Sequence, residues 1–238
     1  MVRQLAAAGV ACVVVARRAD RLEALAAKLP GIEVLAADLS TDDGLDAVAA
    51  RIVDVDHPID LLVNNAGFGK SGAFETLDAD SLMGEIRVNV MALTRLSRAA
   101  AEVMIPRRSG WILNVSSVAG FQPGPGLAVY AATKAFVTSL SESLHEEFRS
   151  AGVKVTNLCP GLTRTEFQSV SGDGFSGRYP EFAWLTAQDV ARAGLDAAAH
   201  GRADSIPGWS YKGIVTGTRF IPRSVVRRAA GMLMAKRH

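Results

Sequence analysis

Residues 110–161, GWILNVSSVAGFQPGPGLAVYAATKAFVTSLSESLHEEFRSAGVKVTNLCPG, decide the fold. Two runs in it, GWILNVS (110–116) and VKVTNLC (153–159), are apolar almost throughout rather than at alternate positions. A strand of that kind is covered on both faces, as in a parallel sheet. Between them, LAVYAATKAFVTSLSESLHEEFRSAGV interleaves Ala131, Ala135, Leu140 and Leu144 with a Ser/Glu face and meets a stop at Gly152. That pattern predicts a helix. Outward from this unit the alternation repeats. VACVVVA (10–16), IEVLAA (32–37) and IDLLVNN (59–65) read as further strands. ADRLEALAAKL stripes Leu22, Leu25, Ala26 and Leu29 before Pro30–Gly31, and DGLDAVAARIVDV stripes Leu45, Val48 and Ile52. A long helix between Asp78 and Pro106 carries Leu82, Ile86, Asn89, Leu93 and Leu96. Strands and helices in alternation with short joins predict a doubly wound, Rossmann-like α/β fold with a parallel sheet. With no repeat or long linker, one domain over 1–238 is expected.

The same stretch carries the chemistry. Ser117 precedes Tyr130 by thirteen residues, and Tyr130 precedes Lys134 by four. At i and i+4 on a helix a phenol and an ammonium lie side by side. A free tyrosine ionises at about 10, too high for proton transfer near neutrality. A fixed positive charge within a few ångströms favours the phenolate and lowers that value. A Tyr four before a Lys is more often a plain surface pair, so the surrounding motifs carry the weight. NNAG (Asn64–Gly67) follows IDLLV, Asn89 lies in RVNVMAL, Ser117 follows WILNVS, and Pro160–Gly161 follow VKVTNL.

In this order and spacing, from about residue 2 to residue 208, these elements resemble the short-chain dehydrogenase/reductase family. The phrase NNAGFGKSGAF and the basic tail look most like its bacterial general branch with a C-terminal extension. The resemblance implies an oxidoreductase that passes hydride between a nicotinamide cofactor and a carbonyl or secondary alcohol. Tyr130 would exchange the proton, Lys134 would lower its pKa and bind the nicotinamide ribose, and Ser117 would hold the substrate oxygen. Asn89 would anchor a water that links Lys134 to solvent. For the cofactor, Arg17 stands after the second strand with no acid beside it, which favours NADP over NAD; a solvated strand-end arginine is the alternative. Asp38 matches the adenine-contacting aspartate, Asn65, Ala66 and Gly67 the backbone beside the adenosine ribose, and Thr163 the nicotinamide or pyrophosphate contact. Pro160 and Gly161 would shape the turn under the ring.

The resemblance also implies a central first strand and a glycine-rich turn on the cofactor pyrophosphate. The chain opens MVRQLAAAGVACVVVARR, which reads as the back of the first helix running into the second strand. The fold is therefore expected to be N-terminally truncated, with a gap between VACVVVA and IDLLVNN, and the start to be internal to a longer chain. An inactive remnant that binds a partner or ligand is the competing expectation.

Composition narrows the rest. A net charge of +2 over 238 residues gives no argument for nucleic acid, and no apolar run nears a membrane span or a signal peptide. Cys12 and Cys159 lie in apolar runs, as buried thiols in a reducing cytoplasm do. RTEFQSVSGDGFSGRYPEFAWL (164–185) reads as a glycine-hinged lid with Phe167, Phe175, Tyr179, Phe182 and Trp184 over an apolar substrate. No acid follows Asp204, and residues 209–238 read as a basic extension ending in an amphipathic helix after Pro222. Its partner is expected to be its own domain or a second subunit before an anionic membrane surface. Dimers or tetramers through the helices of Asn89 and Tyr130 follow from the resemblance.

Overall fold

The structure is a computed structural model that describes residues 1–171, 180–218 and 220–235. From the N-terminus, α1 (Val2–Ala7) leads into β1 (Cys12–Ala16), then α2 (Ala19–Ala26), β2 (Ile32–Ala36), α3 (Asp42–Val53) and β3 (Leu61–Asn64). Next come α4 (Ala79–Ile86), a π-helical stretch (Arg87–Ala92), α5 (Leu93–Arg107), β4 (Gly110–Val115), α6 (Ala128–Phe148) and β5 (Val153–Leu158). Beyond β5 lie β6 (Thr163–Arg164), α7 (Phe167–Ser171), β7 (Leu185–Thr186), α8 (Ala187–Ala199), β8 (Asp204–Ser205), α9 (Trp209–Thr218) and α10 (Arg223–Ala235). All strand pairings are parallel, which makes this an α/β fold with helices between its strands.

The larger sheet runs β3–β4–β5–β8, and β1 pairs only with β2. No ladder joins the two among the described residues, so the gap expected between VACVVVA and IDLLVNN is present. Both sheets nevertheless serve one core. Val15 and Leu35 pack in the same cluster as Leu62, Ile112, Val153 and Val155, closed by Leu45, Val48 and Ile52 of α3 and Leu96, Ala100 and Met104 of α5. The other face gathers Leu113, Leu158 and Val190 with Met1, Leu61 and Val63. Burial is uneven along the sheet: β4 and β5 are largely buried, whereas in β1 only Val14 is.

Local chemistry explains the helix ends. Thr41 caps α3 by accepting from the Gly44 N–H, with Asp42 and Asp43 in the first turn against the helix dipole. Asp78 caps α4 by accepting from the Ser81 N–H. Gly152, at φ +75°, ends the turn after α6 as expected, in a conformation that favours glycine. The predicted face of α6 is rotated, however. Ala131 is buried but Ala135 is exposed, and the buried positions are Thr133, Lys134, Val137, Thr138 and Ser141.

Those polar residues join a network through the sheet. Asn64, Asn114, Asn157 and Asp204 stand in register on four neighbouring strands. Asn64 donates to Ser97 Oγ and Asn114 Oδ1, Asn114 donates to Ser141 Oγ, and Asn157 donates to Asp204. Each bond satisfies a group that burial would otherwise leave costly.

Candidate active site

The candidate residues collect at the C-terminal ends of the parallel strands. Arg17 follows β1, Asp38 follows β2, Asn65 follows β3, Ser117 follows β4 and Pro160 follows β5. Open α/β sheets bind ligands along this edge.

Ser117, Tyr130, Lys134 and Asn89 come together around the backbone of Gly67–Gly69. The Lys134 Nζ donates to Val115 O at 2.7 Å and lies 5.7 Å from the centre of the Tyr130 ring. The Ser117 Oγ accepts from the Ala119 N–H at 3.1 Å, and its side chain acts on the Tyr130 phenol. Ser116 turns the other way, donating to Lys134 O within α6. A Cβ on Gly67 would stand 3.0 Å from Asn89 Oδ1 and 3.4 Å from Lys134 Nζ, and one on Gly69 would stand 2.6 Å from the Tyr130 ring. Only glycine lets the chain lie this close to both helices.

Asn89 sits in the π-helical stretch, an irregularity that often marks functional positions. Its amide accepts from the Phe68 N–H at 3.1 Å and donates to Phe68 O at 2.8 Å and Thr133 Oγ1 at 3.1 Å. Protein partners thus take both of its donors.

Electrostatics departs from the expectation as well. Burial pushes the Tyr130 phenol up to about 12, with the Ser117 side chain opposing and Glu85 adding to the rise. Burial brings Lys134 down to about 8. Desolvation is the first cause of both shifts, since burial penalises the charged form of each group. Cys159 is buried beneath the site with its thiol raised to about 12, first by burial; it and the partly buried Cys12 are both free.

Toward the other end, Asp38 accepts from the Ser40 N–H and Oγ, which holds its carboxyl below the usual range, with Arg17 contributing less. Arg17 itself is exposed, as are Asn65 and Ala66. Its neighbours Arg18 and Arg21 reach Glu166 across the edge, at 3.3 and 2.8 Å.

The loop after β5 is held by a residue the sequence reading passed over. The Tyr211 hydroxyl, in α9, accepts from the Leu162 N–H at 3.1 Å and donates to Ala183 O at 2.6 Å. A Cβ on Gly161 would fall 2.2 Å from that ring. Through Tyr211, α9 thus packs on the turn after β5. Thr163 bonds within the same turn, its Oγ1 donating to Gly161 O. Of the expected lid aromatics, Phe167 stacks on Tyr130 with centroids 5.2 Å apart and Trp184 receives Arg164 over its ring. Phe182 is 84% exposed, while Phe175 and Tyr179 lie outside the described residues.

A short chain dehydrogenase family profile matches residues 1–174. This chain belongs to that family. It is 35% identical to the sulfoacetaldehyde reductase of Chromohalobacter salexigens over 197 residues, covering 79% of this chain and 78% of that protein. It is 30% identical to the very-long-chain 3-oxoacyl-CoA reductase of Bos taurus over 187 residues, or 75% of this chain and 59% of that one. Among solved structures, the short-chain dehydrogenase from Sphingobium yanoikuyae in complex with NADPH superposes with a TM-score of 0.81 at 34% identity, over 93% of this chain and 91% of that one. The bulky-bulky ketone specific alcohol dehydrogenase from Comamonas testosteroni gives 0.78 at 31% identity, over 92% and 85%. The short-chain dehydrogenase chain is thus an oxidoreductase, and its fold is the Rossmann-like one of these neighbours.

The residues of this short-chain dehydrogenase fit a nicotinamide dinucleotide at two places. Around Tyr130 and Lys134, Gly67 and Gly69 clear a close approach, and after β1 and β2 Arg17 and Asp38 bring opposite charges together at the same sheet edge. Among the described residues no glycine-rich turn joins a strand to a helix N-terminus where a pyrophosphate would sit.

Proposed function

We propose that the chain is an NADP-preferring oxidoreductase that interconverts a small-molecule carbonyl, apolar in character, and its secondary alcohol. The observation that supports it most is the meeting of Ser117, Tyr130 and Lys134 beside Gly67–Gly69. NADP, when bound, supplies or accepts the hydride. Tyr130 gives a proton to the carbonyl oxygen in reduction and takes it back in oxidation. Ser117 holds that oxygen as charge builds on it. Lys134 holds the ribose beside the ring, and Asn89 fixes the Phe68 backbone that walls the pocket. Arg17 receives the 2′-phosphate with Asp38 at the adenine, Asn65, Ala66 and Gly67 flank the adenosine ribose, and Pro160, Gly161 and Thr163 shape the nicotinamide end.

We assign residues 1–238 to one domain, with 164–185 as the substrate lid. Phe167 on Tyr130 supports the lid and an apolar substrate. Met83 on α4, Met91 in the π-helical stretch and Phe136 on α6 are 51%, 57% and 41% exposed, which suits a homo-oligomer through the helices of Asn89 and Tyr130. No helix among the described residues is long and apolar enough to cross a membrane. The free thiols fit a reducing cytoplasm.

The split sheet favours a second reading, a binding protein without redox chemistry. Fluorescence titration of NADPH and NADH separates them. The proposed function requires NADPH to bind more tightly than NADH, with Arg17→Ala erasing the difference. No change in NADPH fluorescence at high micromolar protein would favour the binding protein.

A further inference from the structure

Glu85 is the one carboxylate among the described residues with no accessible surface, at 0%. It lies on α4, one helical turn before Asn89. Its Oε2 accepts from the Lys70 N–H at 3.1 Å, while Asn89 grips the N–H and C=O of Phe68. Two side chains on one helix face thus clamp Phe68–Lys70, and Gly69 between them presses on the Tyr130 ring.

The other oxygen, Oε1, is buried with no hydrogen-bond partner among the described residues. An apolar side chain of that size would fill the space but strip the Lys70 N–H of its acceptor, so packing alone does not account for a carboxyl here. The charged and titratable groups that face it among the described residues are Lys70, from the loop after β3, and Lys134 and Tyr130, from α6. Cys159, after β5, and then the Glu85 charge help Lys134 to keep its proton, and the Glu85 charge hinders ionisation of Tyr130.

We propose that Glu85 is a positioning residue for the Tyr130–Lys134 pair: it holds the Phe68–Lys70 loop against the phenol ring, and its carboxylate faces the Lys134 ammonium. The proposal deepens the reading of the same site and rests on it, but its test needs no turnover. Burial pushes Glu85 up to about 7, and Lys134 comes down to about 8, so the two ionise in adjoining ranges and each senses the other.

Side-chain carbon-13 NMR of labelled lysine reads Lys134, with Lys134→Met to assign its signal. In the wild type the Lys134 signal should show a smaller inflection near pH 7 before its main step near pH 8. In Glu85→Gln, which keeps an acceptor for the Lys70 N–H, that inflection should vanish and the main step should move to lower pH. A purely structural Glu85 would leave the Lys134 curve unmoved in the Gln variant, and that result overturns the proposal.

If the Gln variant does not fold, the wild type still decides. The folded value of Glu85 is raised above its unfolded one, so its contribution is full below about 4.5 and is lost as pH rises through about 7. A wild-type Lys134 curve with no inflection near 7, or urea stability that does not fall across this window, overturns the proposal. Both results are independent of whether the oxidoreductase assignment stands.

Discussion

Tyr130 and Lys134 lie four residues apart on α6, and burial moves them in opposite directions, the phenol up to about 12 and the ammonium down to about 8. Both shifts favour the neutral form, yet with Lys134 at about 8 the ammonium still predominates at neutral pH, beside a phenol that holds its proton. Stability reports this directly. Because Lys134 is lowered in the folded state, the unfolded chain binds more protons between about 8 and 10.5, and stability rises with pH there. Urea unfolding should show wild-type stability rising relative to that of Lys134→Met as pH climbs from about 8 toward 10.5, the Cys159 thiol being common to both and cancelling in the difference. At the same scale, Asn114→Leu should cost about 1–3 kcal/mol in urea unfolding, because it leaves the Asn64 amide and the Ser141 hydroxyl buried without their partner.

At the scale of elements, α6 and α9 show what a sequence hides. The helix over 128–148 was legible from its apolar spacing and its Gly152 stop, but not its buried face, because Thr133, Lys134, Thr138 and Ser141 are polar. They are buried because the Asn row of the sheet and the site itself supply partners, which an apolar stripe cannot report. Tyr211 was missed for a related reason: its role depends on a contact with Leu162 and Ala183 across the fold, with no local signal. Tyr211→Phe should therefore raise KM for the cofactor more than it lowers kcat, with a stability loss of about 1–2 kcal/mol from two hydrogen bonds. Gly161→Ala should destabilise by about 1–3 kcal/mol in thermal unfolding, since the added Cβ meets a ring that those bonds hold in place. Strands β1 to β5, by contrast, were legible as continuous apolar runs, and their C-terminal ends located the site; the two-residue β6, β7 and β8 are too short and polar to read.

Across the whole molecule the sheet is divided between β1–β2 and β3–β4–β5–β8, with one core beneath both. The missing ladder leaves the edges of β1 and β3 without strand partners among the described residues, and cooperativity should weaken there. Amide hydrogen exchange should find β1 and β2 opening before β4 and β5; equal protection in all four would show that the gap does not divide the fold energetically. This division was legible in the opening residues, where a helix runs straight into VACVVVA, because strand count can be read from a sequence even when strand pairing cannot.

The decisive measurement is the consumption of NADPH, followed by its absorbance, with apolar ketones as acceptors and Tyr130→Phe beside the wild type. Turnover in the wild type that falls by about 10²–10⁴-fold in the Phe protein, with NADPH binding retained, is the predicted result. Undiminished turnover without the phenol would contradict the account.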